Sequence, residues 1–122
     1  MALRGIRGAT VADANSKEAI ASATEELLTA LIEHNQIQEA TIATIFFSVT
    51  PDLDAEFPAV AARKMGFQDT PLLCLTEIPV PNSLGKCIRI LIHLNTKKNQ
   101  TDMRHVYLKE AITLRPDSCQ KT

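Results

Sequence analysis

Three arginines lie in or beside apolar stretches of the sequence, where a cation is costly unless an anion or another acceptor meets it. Arg7 and Arg89 are inside strand-like segments, and Arg63 follows the apolar run at residues 57–62. A chain with a formal net charge of -1 has little reason to bury several cations without binding something. Because guanidinium groups match carboxylates, the set predicts a receptor for a small carboxylate-bearing molecule.

The other reactive side chains have ordinary interpretations when taken one by one. Cys74 has no neighbouring histidine in the sequence and is typical of a small buried hydrophobe rather than a nucleophile. Glu77 lies on a predicted strand beside apolar Leu75 and Ile78 and is typical of a surface or ion-paired residue. For Arg89 alone, an ion pair with Glu77 or Asp102 across a sheet surface is as good an interpretation as ligand binding.

Metal and cofactor signatures are absent from the sequence. His34, His93 and His105 lack the spacing of a metal site, and the chain has no phosphate-binding glycine loop or hydroxyl–base–acid signature. We therefore expect no metal and no cofactor. A reaction in such a site would have to be driven by orientation and electrostatics.

Length and composition exclude several classes of protein. At 122 residues, the chain is expected to form one domain spanning residues 1–122. Thirteen basic and fourteen acidic side chains create no general field for nucleic acid or an anionic membrane. No apolar run approaches the roughly 18–20 residues that span a bilayer, and the N-terminus does not resemble a signal peptide. Three cysteines without metal-like spacing favour free thiols and a cytoplasmic location.

Hydrophobic patterning predicts alternating strands and helices, hence an α+β (mixed α/β) fold. In the segment 87–95, Ile88, Ile90, Ile92 and Leu94 share one face, so Arg89 points to the other. One long helix, capped by Asn15, and two short ones would cover only one face of the sheet, so we expect oligomerisation to bury the second. Strands are predicted at residues 3–11, 40–49, 71–78 and 87–95, and helices at residues 16–34, 55–64 and 101–111.

Several strings of residues, read together, carry a family resemblance. They are RGIRGAT at 4–10, TPDL at 50–53, FPA at 57–59, CIR at 87–89, RHVYL at 104–108 and LRPD at 114–117. In this order and spacing, the chain resembles the monofunctional chorismate mutases of the small trimeric bacterial type, not the all-helical type. The resemblance runs from about residue 3 to residue 117.

The resemblance implies a homotrimeric pseudo-α/β-barrel with active sites between neighbouring subunits. It implies a Claisen rearrangement of chorismate to prephenate, in the shikimate pathway to aromatic amino acids, without a cofactor. The lysine that some members carry near the entrance is replaced here by Val60. That substitution weakens part of the positive field expected there.

Residue roles follow from the resemblance position by position. Arg89 would bond the ether oxygen and a carboxylate, Arg7 would hold a carboxylate, and Glu77 would bind the ring hydroxyl. The expected substrate-binding residues are Tyr107, Cys74, Phe57, Arg63, Leu73, Leu114 and Arg115. Of the set, Phe57, Arg63, Leu73 and Cys74 would come from one subunit and the others from its neighbour. A tail from about residue 115 would be mobile and close the pocket.

Two other functions stay open on the sequence alone. A YjgF-like imine deaminase would also be a trimer with interface clefts and an arginine for a carboxylate. A non-catalytic trimer could bind a carboxylate metabolite as a regulator. The joint presence of Arg7, Glu77, Arg89 and Tyr107 argues against the second.

Overall fold

A mixed five-stranded sheet carries the fold in the computed structural model, which describes residues 1–114. The strand order is β3-β2-β4-β1-β5, with β4 antiparallel to both β1 and β2. The edge strands run parallel to their neighbours, β3 to β2 and β5 to β1. The strands are β1 (Ala2–Val11), β2 (Ile42–Val49), β3 (Leu72–Thr76), β4 (Cys87–Thr96) and β5 (Val106–Tyr107), and the α-helices are α1 (Lys17–Asn35) and α2 (Ala59–Lys64).

One face of the sheet packs on the helices and forms the core. The alternation predicted for β4 is confirmed, since Ile88, Ile90 and Ile92 are at most 1% exposed. Leu27 and Leu31 of α1 lie in the same cluster as Ile90 and Ile92. The mixed sheet covered by helices on one face is thus confirmed for the part of the chain described.

The opposite face, here called the open face, carries the arginines together with exposed leucines. Leu3, Leu73, Leu75 and Leu91 are 54%, 50%, 48% and 37% exposed. Leu91 faces Arg7 on β1 and Phe46 on β2 in the sheet register. An apolar surface with interspersed charges is typical of a face that binds a ligand or another protein.

The helix boundaries differ from the sequence expectations in detail. Ser16, not Asn15, caps α1 by accepting the Ala19 N–H, at 3.1 Å. Asn15 instead bonds Asp54 and the Ala55 N–H, tying the start of α1 to the loop before α2. Helix α2 begins only at Ala59, because the residue before a proline is disfavoured in helical conformation and Pro58 stands at the cap.

The helix expected at residues 101–111 is wrong. The chain there forms a 3₁₀ turn at Gln100–Asp102, strand β5, and a second 3₁₀ turn at Lys109–Leu114. Val106 and Tyr107 pair with Gly8 and Ala9 of β1, and the side chain of Asn35 bonds both backbone groups of Arg104. These tertiary bonds use the backbone groups that a helix would need, and they outweigh a short apolar periodicity.

No helix within residues 1–114 is long and apolar enough to cross a membrane.

Candidate active site

A cavity of about 500 Å³ lies on the open face and brings together four of the residues singled out by the sequence, Arg7, Glu77, Arg89 and Tyr107. Strands β1, β4 and β5 contribute Arg7, Arg89 and Tyr107, and the chain just after β3 contributes Glu77. Apolar and aromatic walls come from Phe46, Leu75, Ile90, Leu91 and His93. The cavity therefore combines two guanidinium groups and one carboxylate with a mostly apolar lining.

Arg89 and Glu77 form an ion pair whose geometry is set by a third residue, Ser48. The Nε atom of Arg89 lies 3.0 Å from Oε2 of Glu77. The hydroxyl of Ser48 donates a short hydrogen bond to the same oxygen. The enclosed Arg89 Nε–H is not aligned on any acceptor, so the pair is held by charge rather than by a directed hydrogen bond.

The sheet order explains why these three residues meet. Strand β2 lies between β3 and β4, and Ser48 faces Arg89 in the register of β2 and β4. On the other side, the Glu77 N–H donates to the Val49 carbonyl at 2.8 Å, which extends the pairing beyond the end of β3. Ser48 thus lies beside the Arg89–Glu77 pair on the open face and bonds the carboxylate oxygen that Arg89 contacts.

Arg7 is held on both its side chain and its backbone. Its Nε donates to the Tyr107 hydroxyl at 2.9 Å, and its backbone N–H donates to Nδ1 of His105 at 3.1 Å. Ala9, two residues further along β1, faces Arg89 across the β1–β4 ladder. Arg7 and Arg89 therefore occupy the same face of neighbouring strands and line the same cavity.

Next to Arg89, burial raises the pKa of the Cys87 thiol, although the guanidinium acts in the opposite direction. Cys87 packs with Ala9, Tyr107 and Ala111 in a small buried cluster. A buried thiol with a raised pKa stays protonated at neutral pH and is a poor nucleophile. Cys87 is therefore a packing residue and does not line the cavity.

The remaining expected site residues do not line this cavity. Phe57 is 68% exposed and, with Cys74, lines a second cavity of about 270 Å³ that also touches Leu75. Leu73 lies half-exposed on the open face, and Arg63 is exposed on α2. The expected site residues thus do not gather in one cavity of a single copy of the chain.

The last two expected residues lie at the end of the described chain. Leu114 packs against the buried cluster that contains Ala9 and Tyr107. Arg115 and the tail expected to close the pocket lie outside the described residues.

Sequence reasoning missed Ser48 and the roles of two histidines. Ser48 could have been placed on the open face by the alternation of Ile45, Phe47 and Val49, which are core-facing, but its contact with Glu77 depends on the strand order. His93 lies 3.2 Å from the Thr44 hydroxyl and packs edge-on against Phe46. Among residues 1–114, no three His, Cys, Asp or Glu side chains cluster as metal ligands would.

Comparison with known proteins decides the family. The family described as chorismate mutase type I matches residues 3–118 of this chain. The chain belongs to the chorismate mutase type I family. The imine deaminase and the non-catalytic binder find no support among these matches.

Individual relatives extend the chorismate mutase assignment over almost the whole chain. The chorismate mutase AroH of Thermus thermophilus is 49% identical over 116 residues, covering 94% of this chain and 95% of that protein. The chorismate mutase AroH of Bacillus subtilis is 42% identical, covering 96% of this chain and 93% of that protein. A solved chorismate mutase from Clostridium thermocellum superposes with a TM-score of 0.88 at 49% identity, covering 89% of this chain and 97% of that one.

Proposed function

We propose that this protein rearranges chorismate to prephenate in the cavity on the open face. The observation that carries the proposal is the placement of Arg7, Glu77, Arg89 and Tyr107 around one apolar-walled cavity, in a chorismate mutase family chain. Chorismate carries two carboxylates, and two guanidinium groups beside one carboxylate give the cavity the complementary charge.

Arg89 is the residue that we assign to the transition state. As the C–O bond of chorismate breaks, negative charge develops on the ether oxygen. A fixed cation at this oxygen stabilises the transition state more than the ground state. The Arg89 side chain is 43% exposed although its Nε atom is enclosed, so its terminal N–H groups are the donors that can reach a bound substrate.

The other groups bind and orient the substrate. Arg7, steadied by Tyr107, holds a carboxylate, and Glu77 accepts a hydrogen bond from the ring hydroxyl. Holding the reactive conformer removes much of the entropic cost of the reaction. A millionfold acceleration requires about 8 kcal/mol, within reach of a few charge-assisted contacts in an apolar cavity plus conformer selection.

We further propose that the complete site forms between neighbouring copies in a homotrimer. Each copy would supply its arginine cavity to one site and Phe57, Arg63, Leu73 and Cys74 to another. The division of the expected site residues between two cavities of one chain and the exposed leucines of the open face support this arrangement. Leu114 would contribute to the site from the C-terminal side.

Two further assignments complete the proposal. We place the enzyme in the cytoplasm because Cys74 and Cys87 are free thiols, which a reducing compartment preserves. We also propose that the rearrangement needs no cofactor or metal, since it transfers neither electrons nor a group between molecules.

A direct assay tests the proposed reaction. Purified protein, treated with a strong chelator, is incubated with chorismate, and the products are separated chromatographically and identified by NMR, because substrate and product are isomers of equal mass. Enzyme-dependent formation of prephenate is expected at the same rate with and without the chelator. Absence of prephenate would refute the activity, and loss on chelation restored by added metal would refute the metal-free mechanism.

A further inference from the structure

Along the outer edge of β1, side chains bond the backbone groups that strand β5 does not reach. On its inner side, β1 pairs with β4 from Ala2 to Val11. On its outer side, β5 pairs only at Gly8 and Ala9. Nearer the N-terminus of β1, the Gln100 side chain accepts the Gly5 N–H at 2.9 Å and donates to the Gly5 carbonyl at 2.6 Å. His105 accepts the Arg7 N–H.

The chemistry of the His105 contact fixes the state of its ring. A backbone N–H can only donate, so Nδ1 of His105 must be an unprotonated acceptor, and a neutral ring then carries its proton on Nε2. An aliphatic side chain at this position could not make the bond. An asparagine could, since its side-chain oxygen can occupy nearly the same place as Nδ1.

The hydrogen bond from the Arg7 N–H to His105 holds the backbone of a residue that lines two cavities. Arg7 lines the open-face cavity and also a neighbouring cavity of about 480 Å³ with Gly5, Leu91, Gln100 and His105. The Tyr107 hydroxyl holds the Arg7 side chain in the first cavity, while His105 holds its backbone. Without the His105 acceptor, the Arg7 N–H would face the 480 Å³ cavity unpaired.

We propose that His105 is a positioning residue for Arg7. By accepting the Arg7 N–H in place of a strand, it fixes the direction in which the Arg7 guanidinium enters the active site. The proposal rests on the proposed function, because Arg7 is assigned there to a substrate carboxylate. Its main consequence is that the effect of His105 on catalysis depends on Arg7.

Variants at position 105 test the proposal. His105→Leu should raise the KM for chorismate and lower kcat/KM about fivefold to tenfold, the effect of losing one hydrogen bond that orients a binding group. His105→Asn should restore most of the loss. The matched control is Gln100→Leu, which removes side-chain bonds at Gly5 on the same edge, and it should lower thermal stability with little change in kcat/KM.

A double-mutant cycle separates this proposal from the proposed function. In an Arg7→Ala background, which should itself be strongly impaired, His105→Leu should cause no further loss of kcat/KM. An equal loss in both backgrounds, or failure of His105→Asn to restore activity, would overturn the positioning role while leaving the function standing. An unimpaired Arg7→Ala enzyme would refute the assigned role of Arg7 and the positioning role with it.

A spectroscopic measurement on the unaltered protein covers the case in which the leucine variant does not fold. Nitrogen-15 NMR of the histidine rings should show His105 with an unprotonated Nδ1 at neutral pH. Amide hydrogen exchange at Arg7 should be slow and should accelerate in any folded variant without an acceptor at position 105. A protonated Nδ1, or a rapidly exchanging Arg7 amide in the unaltered protein, would contradict the proposal.

Discussion

Arg89 lies 3.0 Å from Glu77, yet the Glu77 carboxylate takes its aligned hydrogen bond from Ser48. The charged groups of Arg89 and Glu77 are therefore close together, but the Arg89 Nε–H does not point at the carboxylate as it would in a hydrogen bond. Such a pair neutralises part of the charge while leaving guanidinium N–H groups for a substrate oxygen. This relationship connects the resting structure to the transition-state role that we assign to Arg89.

Replacing Arg89 by lysine should lower kcat by several orders of magnitude. Lysine keeps the positive charge but loses the planar fork that reaches the ether oxygen and a carboxylate together. A preorganised donor facing developing charge contributes roughly 3–4 kcal/mol or more. Steady-state kinetics on folded Arg89→Lys protein measures the effect, and near-full kcat would show that Arg89 is not the transition-state cation.

Removing the Ser48 hydroxyl should reduce kcat about tenfold. In Ser48→Ala, the carboxylate is free to turn and pair fully with Arg89, which withdraws donor capacity from the substrate. Ser48→Thr is the control, because it keeps a hydroxyl at the same strand position and should retain most of the activity. Equal activity of the alanine and threonine variants would mean that the hydroxyl does not orient the carboxylate.

Gly8 cannot carry a side chain without displacing β5. A Cβ atom there would lie 2.7 Å from the Val106 carbonyl oxygen and 3.1 and 3.2 Å from methyl carbons of Leu27 and Leu31. We expect Gly8→Ala to cost about 1–3 kcal/mol of unfolding free energy and to impair activity by moving Tyr107.

The control for Gly8 is Gly5→Ala, on the same strand. Its Cβ would meet only ordinary contacts, at 3.8 and 3.9 Å. Denaturant unfolding of both variants at one protein concentration compares them. If Gly8→Ala is as stable as Gly5→Ala, the close approach of β5 to β1 is wrong.

Asp52 should make stability depend on pH in the acid range. The Thr50 hydroxyl, and to a lesser degree the Lys86 N–H, lower the pKa of Asp52 below its usual 3.8. A lowered folded-state pKa stabilises the fold above the unfolded pKa, and this contribution is lost as pH falls through the folded value. The stability difference between the unaltered protein and Asp52→Asn should therefore shrink from about pH 5 to about pH 3. A difference that is constant over this range would contradict the assignment.

Local patterns were sufficient to predict most of the sheet. The strict alternation in β4 placed Arg89 on the face of the sheet opposite to that of Ile88 and Ile90. The apolar stripe of α1 identified the buried face of that helix. The helix prediction for residues 101–111 was wrong because Met103, Val106 and Tyr107 are spaced as they would be on a helix. Their backbone bonds go to β1 and Asn35, which are distant in the sequence.

In the site too, local patterns predict some features, whereas others depend on contacts between residues distant in the sequence. That Arg7 and Arg89 share a face follows from strand alternation once the two strands are paired. The roles of Ser48 and His105 depend on which strands are neighbours and in what register, and no local pattern specifies this. The family resemblance supplied Glu77 and Tyr107, whose types and positions alone were unremarkable.

The central claim is that each active site combines the arginine cavity of one copy with the Phe57 cavity of another. It is tested most directly by mixing two inactive variants, Phe57→Asp and Arg89→Glu, unfolded and refolded together. In randomly mixed trimers, about a quarter of the sites would pair an intact Phe57 half with an intact Arg89 half.

Activity should therefore recover to about a quarter of the unaltered enzyme's value. A mixture of Arg7→Glu and Arg89→Glu, both in the same half, should remain inactive. Mass spectrometry of the intact assemblies verifies that trimers have mixed. If verified mixed trimers of Phe57→Asp and Arg89→Glu are as inactive as their parents, each site is built within one chain and the account is wrong.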